Sequence, residues 1–70
     1  MKLIVNGESK EVTSNKANPT LKKILSELNY HPQLVVVELN GEIINSKSWE
    51  DQILQDGDHL EIVTIVGGGY

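Results

Sequence analysis

Two asparagine-glycine dipeptides, Asn6-Gly7 and Asn40-Gly41, constrain this chain more than any other feature of its sequence. Each joins a residue that tolerates positive φ to one that adopts it freely, which is what a two-residue hairpin turn demands. Each also sits between β-favouring runs. Lys2 to Val5 leads into the first and Glu8 to Thr13 runs back as a more polar partner; Leu34 to Leu39 leads into the second and Glu42 to Asn45 returns. Two β-hairpins are therefore expected, with room for one helix between them.

Ser14 to Asn18 is a polar loop that ends in a helix start: Asn18 is a capping candidate, Pro19 suits the first helical position, and Thr20 is a second capping candidate. Leu21, Ile24, Leu25 and Leu28 then fall at i, i+3, i+4 and i+7, separated by Lys22, Lys23, Ser26 and Glu27. This is the pattern of an amphipathic helix, apolar on one side. Asn29-Tyr30-His31-Pro32 is expected to stop it, because proline disfavours helical conformation in the residue before it. After the second hairpin, Trp49, Ile53 and Leu54 are placed to anchor a short helical turn under the sheet, and Asp56-Gly57-Asp58 turns the chain into a last strand, His59 to Val66. Hairpin, helix, hairpin, strand is an α+β plan, one helix laid across one face of a mixed sheet.

Alternation assigns the two faces. Lys2 and Glu38 belong in water, so Leu3, Val5, Val35, Val37 and Leu39 face the helix; Glu61 does the same for Leu60 and Ile62. With Leu21, Ile24, Leu25, Leu28 and Ile53 they make one expected core. The same parity puts Ile4, Val36, Val63 and Ile65 on the side that no helix covers, where a contiguous group of them would mark a partner-docking surface.

At 70 residues the chain makes one domain. A domain of about 60 residues hides only about 60% of the surface its unfolded chain exposes, which leaves little room for a deep catalytic cleft. Cysteine is absent, so there is neither a disulfide nor a thiolate metal site, and packing alone must hold the fold. The formal net charge of -4 has the wrong sign for neutralising phosphates, which argues against nucleic acid as a partner. The apolar run Leu3-Ile4-Val5 is too short for a signal peptide or a membrane span. An intracellular protein is expected.

The last strand runs out into Gly67-Gly68-Gly69-Tyr70. Consecutive glycines have nothing to pack and lose the most entropy on ordering, so residues 1–66 are read as the domain and 67–70 as a mobile tail. Without a Cβ such a tail threads a narrow channel in almost any conformation.

The plan and the tail together resemble the ubiquitin-like β-grasp sulfur carriers, most closely the ThiS family. The likeness is spread over the chain: a first strand ending in Asn6-Gly7, the leucine-patterned helix, Val36-Val37-Glu38-Leu39-Asn40-Gly41-Glu42-Ile43-Ile44, Trp49 followed by Gln55-Asp56-Gly57-Asp58, and Glu61-Ile62-Val63 leading to Val66-Gly67-Gly68-Gly69. The resemblance implies a mixed sheet of four to five strands with one main helix on one face. It also implies that the C-terminal glycine carboxylate is the working group. A ThiF-like enzyme adenylates it, using ATP and Mg2+ that the enzyme itself binds; sulfur from a cysteine-desulfurase relay displaces the adenylate; and a ThiG-like thiazole synthase takes sulfur from the resulting thiocarboxylate to build the thiazole of thiamine. In this role the chain is a protein cosubstrate rather than an enzyme, binds no cofactor or metal of its own, and works in bacterial cytoplasm or plastid stroma. Gly69 takes the position of the thiocarboxylate and Gly67 and Gly68 thread inward. Tyr70 departs from the pattern, because it turns the carbonyl of Gly69 into an amide, and implies trimming.

The remaining signals have plain readings. His31 and His59 lack a further ligand at metal-binding spacing and are solvated. Asp56 and Asp58 flank a turn glycine, where aspartate is favoured for local hydrogen bonds. Glu50, Asp51, Asp56, Asp58 and Glu61 form an acidic, solvated stretch, and Trp49 sits at a core edge. Two rival readings remain: a molybdopterin-synthase small subunit, which usually carries phenylalanines and prolines ahead of its diglycine, and a β-grasp interaction module whose tail is never activated.

Overall fold

Both Asn-Gly dipeptides form two-residue turns with positive φ throughout: 52° and 84° at Asn6 and Gly7, 52° and 89° at Asn40 and Gly41. The left-handed region costs most residues about 1–2 kcal/mol, which is why asparagine and glycine hold these positions. The computed structural model describes residues 1–13 and 19–65. The first turn joins β1 (Lys2–Val5) to β2 (Glu8–Glu11), with Val5 opposite Glu8; the second joins β3 (Val35–Leu39) to β4 (Glu42–Ile43), with Leu39 opposite Glu42. The final strand β5 (His59–Thr64) enters between the hairpins, parallel to β1 and antiparallel to β3, giving the order β2-β1-β5-β3-β4. The sheet is mixed and five-stranded, and the strand nearest the tail lies at its centre.

One α-helix, α1 (Leu21–Glu27), crosses the inner face. Its N-cap is Thr20, whose hydroxyl accepts from the Lys23 N–H at 3.3 Å. Pro19 therefore precedes the cap instead of opening the helix, and its carbonyl accepts from the Leu54 N–H at 2.9 Å; Asn18 lies outside the described residues. The C-terminal stop also differs from expectation. Asn29 takes a φ of 67°, and the bonds Asn29 N–H to Ser26 C=O (3.1 Å) and Tyr30 N–H to Leu25 C=O (3.0 Å) close a Schellman motif. The helix is already finished there, and Pro32 goes on to open a short 3-10 turn, Pro32–Leu34.

The inner face carries Leu3, Val5, Val35, Val37, Leu39, Leu60 and Ile62, packed against Leu21, Ile24 and Leu25, with Leu28 half-buried beside them. Val12, Trp49 and Leu54 complete this core. Ile53, expected inside, is 45% exposed, whereas Leu54 is 2% exposed. The cause is local. Thr20 and Ile53 form an antiparallel bridge, and the Leu21 N–H donates to the Gln52 carbonyl at 2.7 Å, so the segment is extended where a helical turn was expected. Neighbouring side chains in extended backbone point opposite ways, and burying Leu54 sends Ile53 outward. The helical turn in this stretch is the 3-10 turn Ser46–Ser48; Trp49 follows it, buried, with its Nε1 donating to the Ile44 carbonyl at 3.1 Å.

Candidate functional site

The outer face of the sheet is ordered in rows by the ladder between β3 and β5. Val36 stands opposite Val63, and the Ile65 N–H donates to the Leu34 carbonyl at 2.6 Å, which places Leu34 opposite Ile65 one row further on. These four side chains are each between 38% and 60% exposed and form an apolar block. On the other side of the valine row lies an acidic one: Glu38 faces Glu61, and Ile43, also exposed, pairs with Glu38 from β4. Ile4 lies beyond that acidic row, half-buried and paired with His59. The structure thus brings Val36, Val63 and Ile65 together and sets Ile4 apart. It adds Leu34, whose parity with Val36 and Glu38 was the signal that marks it as outward-facing.

Ile65 is the last described residue of the chain, so the apolar block includes the point at which the described structure ends. Val66, Gly67, Gly68, Gly69 and Tyr70 lie outside the described residues.

Two side-chain clamps hold β5, and turn chemistry alone did not reveal either. At its start, Asn40 Oδ1 accepts from the His59 N–H at 3.0 Å and Asn40 Nδ2 donates to Asp58 Oδ1 at 3.2 Å. Near its end, Asn6 Oδ1 accepts from the Ile62 N–H at 2.7 Å and Asn6 Nδ2 donates to the Ile62 carbonyl at 3.1 Å. A glycine in either place would satisfy the turn; the amide is the part that reaches β5.

Of the two carboxylates of the Asp56-Gly57-Asp58 turn, Asp58 makes the expected local bond, whereas Asp56 reaches the start of β1 instead. Asp56 Oδ1 accepts from the Lys2 N–H at 2.7 Å, and Asp58 Oδ2 accepts from the Gln55 N–H at 2.8 Å. Glu50 pairs with Lys22 at 2.6 Å; the hydrogen bond and the charge of Lys22 hold its carboxyl below the usual carboxylate range. That pair borders an open groove with Pro32, Gln33, Val35, Ser46, Lys47 and Trp49. His31 and His59 are both exposed, and among the described residues no group of histidine and acidic side chains is arranged to hold a metal. No helix among them is long and apolar enough to cross a membrane.

Comparison with known proteins bears on the whole chain. The ThiS family model matches residues 3–69. A sulfur carrier protein ThiS of Bacillus subtilis is 37% identical over 96% of this chain and 98% of its own length. A thiazole synthase of Paramagnetospirillum magneticum is 41% identical over 99% of this chain, which spans about a fifth (20%) of that enzyme's length. Among solved structures, the crystal structure of a thiamine biosynthesis protein (ThiS) from Geobacter metallireducens superposes with a TM-score of 0.81 at 33% identity, covering 99% of this chain and all (100%) of the other.

Proposed function

The chain belongs to the ThiS family, and from that premise we propose that it is a sulfur carrier of thiamine biosynthesis whose working group is the carboxyl of Gly69. The observation that carries this reading is the family match itself, which runs the length of the folded body and ends at Gly69, one residue short of Tyr70. Because Tyr70 follows it, the carbonyl of Gly69 is an amide, and cleavage of the Gly69–Tyr70 bond must come first. The freed carboxylate is a poor electrophile. Attack of its oxygen on ATP, with pyrophosphate leaving, gives an acyl adenylate; the terminal sulfur of a persulfide on a desulfurase relay then displaces AMP to form an acyl disulfide, and a thiol reductant cleaves its S–S bond, becoming a disulfide itself and leaving the thiocarboxylate. The activating enzyme supplies Mg2+ and positive charge for the nucleotide. This chain supplies a body to grip and an end to react, which makes it a cosubstrate of that enzyme.

A thiazole synthase is the natural recipient, and the relative from Paramagnetospirillum magneticum supports this, since one polypeptide there joins a region like this chain to that enzyme. Both partners must hold the body while the end of the tail enters an active site. The block of Leu34, Val36, Val63 and Ile65, at the base of the tail, suits that grip, with Ile4 at the far margin of the same face. The compartment is the one in which the thiazole is made, bacterial cytoplasm or plastid stroma.

Intact mass spectrometry of the protein from its native host tests this reading. The expected species lacks Tyr70, and a fraction of it carries one sulfur in place of one oxygen. A sole full-length mass, under thiamine starvation as well, would favour a β-grasp module that is never activated.

A further inference from the structure

We propose that Asn6 is a positioning residue for the tail, an assignment that rests on the carrier role above. Its side-chain amide, paired with both backbone groups of Ile62, fixes the direction in which β5 leaves the sheet.

The backbone groups of alternate β5 residues turn toward β1. The Leu60 carbonyl accepts from the Asn6 N–H at 2.8 Å, and the Asp58 carbonyl before it accepts from the Ile4 N–H at 3.0 Å. But β1 ends at Val5, whose partner is Leu60, so no β1 residue stands opposite Ile62. The amide of Asn6 takes that place. A primary amide offers the same donor and acceptor as a peptide unit, and here it adds one rung to the parallel ladder without adding strand. Past Ile62 the strand ladder continues on one side alone, with Val63 and Thr64 paired to Val36 and Val35. Ile62 is thus the last point at which β5 is gripped from both sides, and a tilt there is passed to Val63, Thr64 and Ile65, which β3 alone holds. Reaction at a threaded carboxyl group depends steeply on such placement.

Asn40 supplies an internal control. It has the same dipeptide, the same φ of 52° and a comparable side-chain clamp, but at His59, the end of β5 away from the tail.

The test uses three carriers ending at Gly69: the parent sequence, Asn6→Gly and Asn40→Gly. Glycine keeps the positive φ of each turn, so only the amide is lost. With the ThiF-like enzyme of the same host, pyrophosphate release gives kcat and KM. Asn6→Gly is expected to lower kcat about tenfold and leave KM within about twofold, because docking of the body is intact. Asn40→Gly is expected to leave kcat within about twofold. Amide exchange gives a readout independent of the reaction: Ile62 should exchange about tenfold faster in Asn6→Gly, and Val63, bonded to β3, should not change. Equal losses of kcat in the two variants, or an unchanged kcat in Asn6→Gly, would overturn the positioning role. Absence of pyrophosphate release from the parent carrier would instead overturn the carrier reading, and Ile62 exchange would still show whether Asn6 holds the strand.

Discussion

Val36 and Val63 face each other directly across the ladder of β3 and β5, on the side of the sheet that α1 leaves bare. Two β-branched side chains in register stabilise a sheet modestly, so their exposure has little cost to the fold and leaves apolar area for a partner. Val63→Asp is expected to change stability by no more than about 1 kcal/mol, since the site is 60% exposed. If the carrier role proposed above holds, affinity for a ThiF-like adenylating enzyme should fall at least about tenfold, about 1.4 kcal/mol, because a carboxylate would be desolvated beside Val36. Urea unfolding and a binding titration separate the two effects.

Leu54 and Ile53 are neighbours in sequence with opposite environments. Leu54→Ala should cost about 2–5 kcal/mol, the range for emptying a packed leucine site, and Ile53→Ala should cost less than about 1 kcal/mol. Reversed magnitudes in urea unfolding would mean that the register between Pro19–Leu21 and Gln52–Leu54 is wrong.

Glu50 and Lys22 form an exposed ion pair whose effect is best read by titration. The folded carboxyl is held below its ordinary range, so any stabilisation is present above the unfolded carboxylate pKa and is lost as pH falls through the folded value. In Lys22→Met the pKa of Glu50, followed by NMR at its carboxyl carbon, should rise toward the ordinary range. The same rise should follow from high salt in the unchanged protein, because the pair is open to solvent.

Much of the fold was legible because it is written in short-range chemistry. Asn6-Gly7 and Asn40-Gly41 announce their turns, and the parity of Lys2, Glu38 and Glu61 sorts the β-strand core. The misreadings fall where local signals are silent. Ser46 to Gln55 has neither helical nor strand period, so nothing chose between Ile53 and Leu54; a bridge to Thr20, distant in sequence, decides it. Asn29 ends the helix by adopting a left-handed φ, a role that its neighbour Pro32 obscured. The clamp from Asn6 to Ile62 spans 56 positions and leaves no trace in either segment. Of the candidate site, the outward valines followed from parity, but the role proposed for Gly69 has no side chain to advertise it. That proposal rests on resemblance across the rest of the chain.

The central place of β5 has a consequence for synthesis. The two hairpins pair with β5 and not with each other, so a nascent chain holds two unjoined halves until Thr64 has emerged. Half of the apolar block, Val63 and Ile65, arrives with that same segment. A translation product interrupted before Val63 therefore presents half of the apolar block on an unjoined hairpin, and any partner that requires the whole block distinguishes it from a chain in which the two halves have been joined.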